Sequence, residues 1–292
     1  MDEYLLGGLN VRWESDLPLL PSPFFGLFRT NGSAALPDIL LRGSTAPLAP
    51  LLGSPCLSRG EVYDRYQSDG HPLPVYHWGQ LREGFAVFPH RITAAGGDAV
   101  CFDPNMKGQP PLPADWFFGV SGLHRALLLR DAPILHASYI DYRGQAILFA
   151  APSQTGKSTQ AALWQSHAAA EIINGDRVLL RRVDGRWHAF GYPCCGSSGI
   201  CLNRTLPLAA VVLLSQSPAD RVEELSPGNR VRALVSGMQL YPWLTDETDA
   251  AFSLAERLCD EIPVIRLACT PTADAVAELK EYLEVNGIVY SQ

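Results

Sequence analysis

The sequence lacks the features that would connect the protein with a membrane or with nucleic acid. No apolar run reaches the roughly 18 residues that a membrane helix needs. The formal net charge is −7, whereas a protein that binds nucleic acid or an anionic membrane surface needs a basic face. We therefore expect a protein that binds neither nucleic acid nor a membrane.

Export signals and paired cysteines are also missing. Residues 1–15 begin acidic and contain no segment in which positive charge is followed by an apolar run, so export is not expected. Seven cysteines are scattered along the chain without a C-x-x-C pair, which argues against a zinc ribbon or a dithiol redox site. The expected state is reduced thiols in a cytoplasmic protein.

Lysine is scarce, and this scarcity directs attention to one segment. Of the 23 lysines and arginines, only Lys107, Lys157 and Lys280 are lysines. Lys157 lies in AAPSQTGKST (150–159), which follows the apolar run AILFA and precedes the helix-like QAALW. A strand, a loop with Gly-Lys-Ser and a helix in this order are typical of a phosphate-binding loop.

The segment matches the pattern G-x-x-x-x-G-K-[ST] except at its first position, where Ala151 stands for glycine. Backbone N–H groups of such a loop and of the helix start face phosphates, the lysine contacts the outer phosphates, and the hydroxyl after it binds Mg²⁺. The chance that such a match is accidental is on the order of a per cent. The predicted nucleotide-binding residues are Ser153, Gln154, Thr155, Gly156, Lys157, Ser158 and Thr159.

Strands and helices mix along the chain, which predicts an α/β (α+β mixed) fold. Residues 1–110 are rich in Pro and Gly and contain short strand-like runs, among them FFGLFRT, so we expect a β-rich region there. Residues 111–292 predict a mixed sheet covered by helices, with one helix over 115–130. Arg143-Gly144 and Asp184-Gly185 are the predicted tight turns of two hairpins in this region. The segment 103–116 is the predicted boundary.

Two side chains outside the loop are candidates for chemistry. Asp176 ends the run EIINGD, 19 residues after Lys157, and phosphoryl transfer needs a carboxylate near the phosphates. The alternative is that Asp176 serves only the Asn-Gly-Asp turn. His136 lies in the apolar strand APILHASY, where a histidine is more often a core residue than a functional one.

The segment 136–178 resembles the HPr kinase/phosphorylase family, which is related to phosphoenolpyruvate carboxykinase. HASYIDYRGQAILFAAPSQTGKST is similar to the family's histidine, strand hairpin and phosphate loop, and NGDRV lies where the family has an Asp-Asp pair. A nearer likeness is to the HPr-kinase-like proteins that accompany lasso peptides. The resemblance implies the family's mixed sheet with a phosphate loop.

The resemblance also implies roles. It makes Asp176, His136 and Lys157 catalytic, with Asp176 as the base for the acceptor hydroxyl, and it makes Ser158 and Asp176 the metal residues. Three positions depart from the family: Gly175 replaces the first aspartate, Thr159 a glutamate and Ala151 the first loop glycine. These departures bear on any reverse phosphorylase reaction and leave fewer metal ligands.

The expected function is therefore an ATP- and Mg²⁺-dependent kinase that phosphorylates a serine-type hydroxyl on a peptide, protein or small molecule. The alternative is a nucleotide-binding regulator or biosynthetic partner without catalysis, which Gly175 favours. Carboxykinase chemistry would need the paired aspartates.

The region 1–110 is the candidate for substrate docking. The loop 191–204 with Arg204 could cover the phosphates or hold the acceptor. The family's hexamers imply a homo-oligomer.

Overall fold

The computed structural model describes residues 2–16, 19–30, 32, 36–53 and 55–289. It is a mixed α/β structure with several sheets, in line with the predicted class. The chain forms two compact units. One comprises Met1–Arg130 with Leu240–Thr248, and the other comprises Asp131–Gln239 with Asp249–Gln292. The predicted division at residue 110, which rests on composition, stays a prediction.

Among its described residues, the first unit contains nine strands and three short helices. Its strands are β1 Asp2–Leu6, β2 Leu9–Ser15, β3 Leu19–Leu20, β4 Ile39–Thr45, β5 Tyr63–Ser68, β6 His71–Trp78, β7 Leu81–Val87, β8 Gly96–Phe102 and β9 Leu112–Pro113. Its helices are α1 Pro23–Gly26, α2 Ala114–Val120 and α3 Leu123–Leu128. Seven strands form one sheet in the order β1-β2-β4-β8-β7-β6-β5, and β3 pairs with β9.

Two local predictions for this unit are wrong. The predicted helix over 115–130 breaks into α2 and α3, because Gly122 has φ +85 and packs so tightly that a Cβ there would lie 2.3 Å from the Ile92 side chain. In FFGLFRT, helix α1 replaces the predicted strand, since Pro23 supplies the fixed φ that suits a first helical turn.

In the part that the structure describes, the second unit contains eight strands and four longer helices. Its strands are β10 Ile134–Tyr142, β11 Gln145–Ala150, β12 Glu171–Asn174, β13 Arg177–Val183, β14 Arg186–Gly191, β15 Thr205–Gln216, β16 Arg221–Glu224 and β17 Val264–Cys269. The helices are α4 Lys157–Ala168, α5 Pro227–Gly237, α6 Thr245–Glu261 and α7 Ala273–Val285. The first residues of α6 belong to the other unit.

Five strands of this unit form a closed circuit of hydrogen-bonded neighbours. β10 pairs with β11 and β13, β15 pairs with β11 and β14, and β13 pairs with β14. The hairpin turns of this circuit, at Arg143-Gly144 and Asp184-Gly185, have positive φ at both residues, as type I′ hairpin turns require. These are the two turns that the sequence predicted.

Three strands of this sheet run parallel, which fixes where their ends lie. β11 pairs with β15 and β15 pairs with β17, all in parallel register. Their carboxyl ends, at Ala150, Gln216 and Cys269, therefore meet at one edge of the sheet. In open α/β sheets this edge is where ligands bind. Within the described part of the chain, no helix has the length and apolar character to cross a membrane.

The helix after β11 is held to the sheet by one tryptophan. Trp164 of α4 is fully buried and contacts Tyr142 and Phe149, with ring centroids 5.0 and 6.1 Å away. Its burial contributes to the same apolar core as β15 and α7. The position of α4 on the sheet thus depends on an apolar contact well inside the helix rather than on its first turn.

We predict that Trp164→Ala lowers the free energy of unfolding by about 3–5 kcal/mol, because it leaves a cavity under α4. Phe252→Ala serves as the control, since Phe252 is 42% exposed and should cost much less. Urea unfolding followed by far-ultraviolet circular dichroism measures both. Equal losses in the two variants would contradict this account of how α4 is held.

Candidate phosphate-binding site

A strand, a loop and a helix surround the glycine-lysine segment. β11 ends at Ala150, residues 151–156 form a loop without regular structure, and α4 begins at Lys157. The loop side chains Ser153 and Gln154 are exposed, as are Ser158 and Thr159 on the first turn of α4. The first turn contains no acidic residue, so no side-chain carboxylate there competes for its N–H groups.

The backbone of the loop adopts left-handed geometry at two positions. Gly156 has φ +120, a value that only glycine adopts without strain, and Gln154 has φ +65. Gly156 accepts the hydrogen bond of Gln160 N at 2.9 Å, which starts the helix. A Cβ at Gly156 would have no atom within 4 Å, so the glycine is required by φ and not by crowding.

Lys157 folds back along the loop. Its side chain is buried, and Nζ donates to the carbonyl oxygen of Ala151 at 3.1 Å. Burial lowers the pKa of the Lys157 ammonium, and the nearby charge of Asp176 opposes this decrease. The ammonium is therefore held among few polar partners, at the position where the pattern places a phosphate contact.

Strand register brings His136 and Asp176 to the same edge. Ala137 on β10 lies opposite Ala150, the last residue of β11, so His136 lies beside the start of the loop. His136 also lies opposite Arg177, the first residue of β13, and Asp176 immediately precedes it. Residues that are far apart in sequence thus meet because β10 pairs with both strands.

The Asp176 carboxylate accepts a hydrogen bond from His136, with Nε2 and Oδ1 2.9 Å apart. Its other oxygen lies 3.4 Å from the guanidinium of Arg177. Burial alone would raise the pKa of Asp176, but the hydrogen bond and charge of His136, with the charges of Arg177 and Lys157, hold it below its ordinary value. The carboxylate is ionised and surrounded by cationic groups.

The turn at 174–176 is made by Asn174 and not by Asp176. The amide oxygen of Asn174 accepts the backbone N–H groups of Asp176 and Arg177, both at 2.9 Å. Its amide nitrogen donates to the carbonyl oxygen of Tyr192 at 2.7 Å. Because the buried Asn174 satisfies the turn, the carboxylate of Asp176 is directed instead to His136 and Arg177.

The loop between β14 and β15 packs onto this turn. A Cβ at Gly196 would lie 2.9 Å from Asp176 Cγ, and a Cβ at Gly175 would lie 2.1 Å from the Ser198 hydroxyl. Ser198 therefore occupies the space into which a side chain at position 175 would project. An aspartate at Gly175 is incompatible with the loop as it lies.

Arg204, at the end of the same loop, is not near the 151–156 loop. It pairs with Asp141, at 2.7 Å, and with Glu171. Asp141 lies opposite Ala146, near the start of β11, whereas the 151–156 loop follows the end of β11. Arg204 thus joins strands at the other end of the sheet from the 151–156 loop.

A cavity of about 410 Å³ lies beside the 151–156 loop, at the carboxyl ends of the three parallel strands. Its lining includes Gly156, Gln160, Gln216, Cys269 and Thr270. Gln160 is buried, and its amide nitrogen contacts the Cys269 thiol at 3.3 Å. Its amide oxygen has no hydrogen-bond partner among the described residues. The volume is within the range of small-molecule sites.

The donors for a metal ion at this edge are few. Over the described ranges, no cluster of three or more His, Cys, Asp and Glu side chains is placed to hold a metal. The candidates are the exposed hydroxyl of Ser158 and the carboxylate of Asp176. This set fits a Mg²⁺ ion that is held mainly by the phosphates of a nucleotide, and it does not fit a resident metal centre.

The structure brings the predicted residues Lys157, His136 and Asp176 into one charged group and adds residues that the sequence did not single out. Gln239 accepts a hydrogen bond from Arg177, and Gly196 contacts Asp176. Neither residue belongs to a recognisable motif. The packing of the folded chain identifies both residues. The sequence had pointed only to the loop around Gly196, by its Gly- and Ser-rich composition.

Comparisons with known proteins show only a weak structural likeness. No family model and no curated protein matches the sequence. One solved structure with some likeness to the chain is the HPr(Ser) kinase/phosphatase from Coxiella burnetii, with 12% sequence identity and a TM-score of 0.29. The likeness covers 51% of this chain and 95% of that chain. A TM-score of this size carries no argument about function.

We predict that Asp176→Asn lowers the pKa of Lys157 further, because the charge that opposes the effect of burial is removed. Competitive acetylation over a range of pH measures this, and Lys107 and Lys280 serve as internal references. At a given pH the neutral amine fraction of Lys157, and hence its acetylation, should rise. Asp184→Asn, in an exposed turn, is the matched control. Unchanged Lys157 reactivity in Asp176→Asn would contradict the coupling.

Proposed function

We propose that the protein is an ATP-dependent phosphotransferase that transfers the γ-phosphoryl group to a serine-type hydroxyl. The observation that carries the proposal is the group formed by His136, Asp176 and Lys157 beside the 151–156 loop. Phosphoryl transfer uses a carboxylate that accepts a hydrogen bond and an ammonium group close to the start of a helix. Asp176 and the buried Lys157 are groups of these two kinds.

Phosphate binding in this proposal rests on the loop and the first turn of α4. The N–H groups of the first turn of α4 have no helical partners and point along the helix axis, where an anion is stabilised. Lys157 neutralises the outer phosphates, and an anion there would also offset the burial that lowers its pKa. The cavity beside Gly156 and Thr270 is where the nucleoside would lie.

Acceptor activation in this proposal is assigned to Asp176. Its carboxylate is ionised, since its pKa lies below the ordinary value, so it can accept a hydrogen bond from an alcohol and take the proton as the bond to phosphorus forms. The hydrogen bond from His136 fixes the direction of the carboxylate. Ser158 and Asp176 are the residues that would hold Mg²⁺ together with a nucleotide, and the ion would supply neutralisation of the phosphate charge.

A second candidate is a nucleotide-binding protein without catalysis. It is favoured by Gly175, because Ser198 occupies the space in which a second carboxylate would project. Under this alternative Asp176 is a partner of His136 and Arg177 with no role in transfer. The two candidates predict different effects of an Asp176 substitution on the amount of labelled product.

The test is transfer of the γ-phosphate of Mg²⁺-ATP to peptides that contain serine, with detection of the phosphopeptide by mass spectrometry. We expect Lys157→Ala and Asp176→Asn each to lower kcat/KM by about 100-fold or more, because each removes a charge that acts on the reacting groups. Asp176→Asn should still bind nucleotide. Lys280→Ala, in α7, is the matched control and should keep full activity.

The kinase assignment is wrong if ATP binds with Lys157 dependence but no acceptor, and no residue of the chain itself, is ever labelled. In that case the non-catalytic alternative stands. If ATP does not bind at all, or binds equally well to Lys157→Ala, both candidates fail, because both depend on the loop at 151–156.

A further inference from the structure

The turn formed by Gly196, Ser197, Ser198 and Gly199, here called the Gly-Ser turn, lies against the proposed catalytic carboxylate. Gly196 has φ +56, and a Cβ on it would lie 2.9 Å from Cγ and 3.2 Å from Oδ1 of Asp176. The backbone of the turn is therefore in van der Waals contact with the group that we assign to the acceptor hydroxyl. An acceptor chain that delivers a serine to Asp176 would have to approach in the same way.

The two serines of the turn are in different situations. The Ser198 hydroxyl donates to the carbonyl oxygen of Cys195 at 2.6 Å and accepts from Ile200 N at 3.2 Å. Ser198 also packs on Gly175, so it holds the turn in place. Ser197 is exposed, and its neighbour Gly196 is the residue in contact with Asp176.

Distance and flexibility favour Ser197 as a residue that can reach the site. Consecutive Cα atoms are about 3.8 Å apart, which places the Ser197 Cα no more than about 8 Å from the Asp176 carboxyl carbon. Both glycines of the turn have positive φ, +56 and +65, a conformation that glycine enters and leaves at little cost. A change at these glycines can turn the Ser197 hydroxyl towards the carboxylate.

The remainder of the loop is fastened to the sheet. Leu202 N bonds the carbonyl oxygen of Ile173 at 2.9 Å, and Asn174 bonds that of Tyr192 at 2.7 Å. The turn is therefore held beside Asp176 by the segments on both sides of it. This arrangement differs from that of a loop that only passes near the site.

We propose that Ser197 is an internal phosphoryl acceptor, so that the protein phosphorylates itself in the Gly-Ser turn. This inference rests on the proposed kinase function. The Ser197 oxygen forms a bond to the γ-phosphorus of ATP, the bond from that phosphorus to the β–γ bridging oxygen breaks, and ADP leaves with the electron pair. The hydroxyl proton passes to Asp176. The product is a phosphoserine close to a carboxylate, where like charges would disfavour a second transfer.

The test is incubation of the full chain with Mg²⁺-ATP and no added acceptor, followed by peptide mapping. We expect one phosphate per chain, on Ser197, with a rate constant that does not change with protein concentration. Ser197→Ala should lose the label, and Asp176→Asn should lose it as well. Ser253→Ala, an exposed serine of α6, is the matched control and should keep it.

The possible failures are distinguishable. If wild type or Ser197→Ala phosphorylates an added serine peptide but Ser197 is never labelled, the internal acceptor is refuted and the kinase proposal stands. Label that persists in Ser197→Ala, on Ser198 or elsewhere, also overturns the assignment. If no nucleotide binds and nothing is labelled, the proposed function fails and the internal acceptor fails with it.

Discussion

The rest of the site depends on the hydrogen bond between His136 and Asp176, which joins two parts of the chain that are far apart in sequence. His136 lies on β10 beside the end of β11, and Asp176 precedes β13, so the bond spans the pairing of β10 with both strands. Because the 151–156 loop continues from β11, the same pairing sets how far Asp176 lies from Lys157. Strand register, rather than loop conformation, therefore determines the spacing of the charged groups, and an element as rigid as a sheet is suited to this.

The electrostatics of the site follow from burial. Lys157 and Asp176 are both taken partly out of water, which for each disfavours the charged form, and each is helped by the charge of the other. Arg177 adds a second positive group beside the carboxylate. The site thus has the Lys157 ammonium and the N–H groups of the first turn of α4 on the loop side, and it has the Asp176 carboxylate with Arg177 beside it on the opposite side. Such an arrangement can bind a phosphate chain and still direct one basic oxygen to an alcohol.

Short-range patterns made much of this site predictable. The Gly-Lys-Ser sequence between an apolar run and a helix-like run identified the loop, and two turn dipeptides predicted the hairpins at Arg143 and Asp184. The role of Asn174 was not predictable, because it depends on a bond to Tyr192 across the sheet. The break at Gly122 depends on contact with Ile92, some thirty residues away, which helical periodicity cannot report. The location of Arg204 is likewise set by Asp141 and Glu171, so proximity in sequence to a glycine-rich loop was misleading.

The most direct measurement of the central claim is a crystal structure of the protein with Mg²⁺ and a non-hydrolysable ATP analogue. The account predicts phosphates against the backbone of residues 154–158 with Lys157 on the outer phosphates, Asp176 facing the γ-phosphate, and the nucleoside in the cavity beside Thr270. A nucleotide bound elsewhere on the chain, or phosphates that do not contact Lys157, would contradict it.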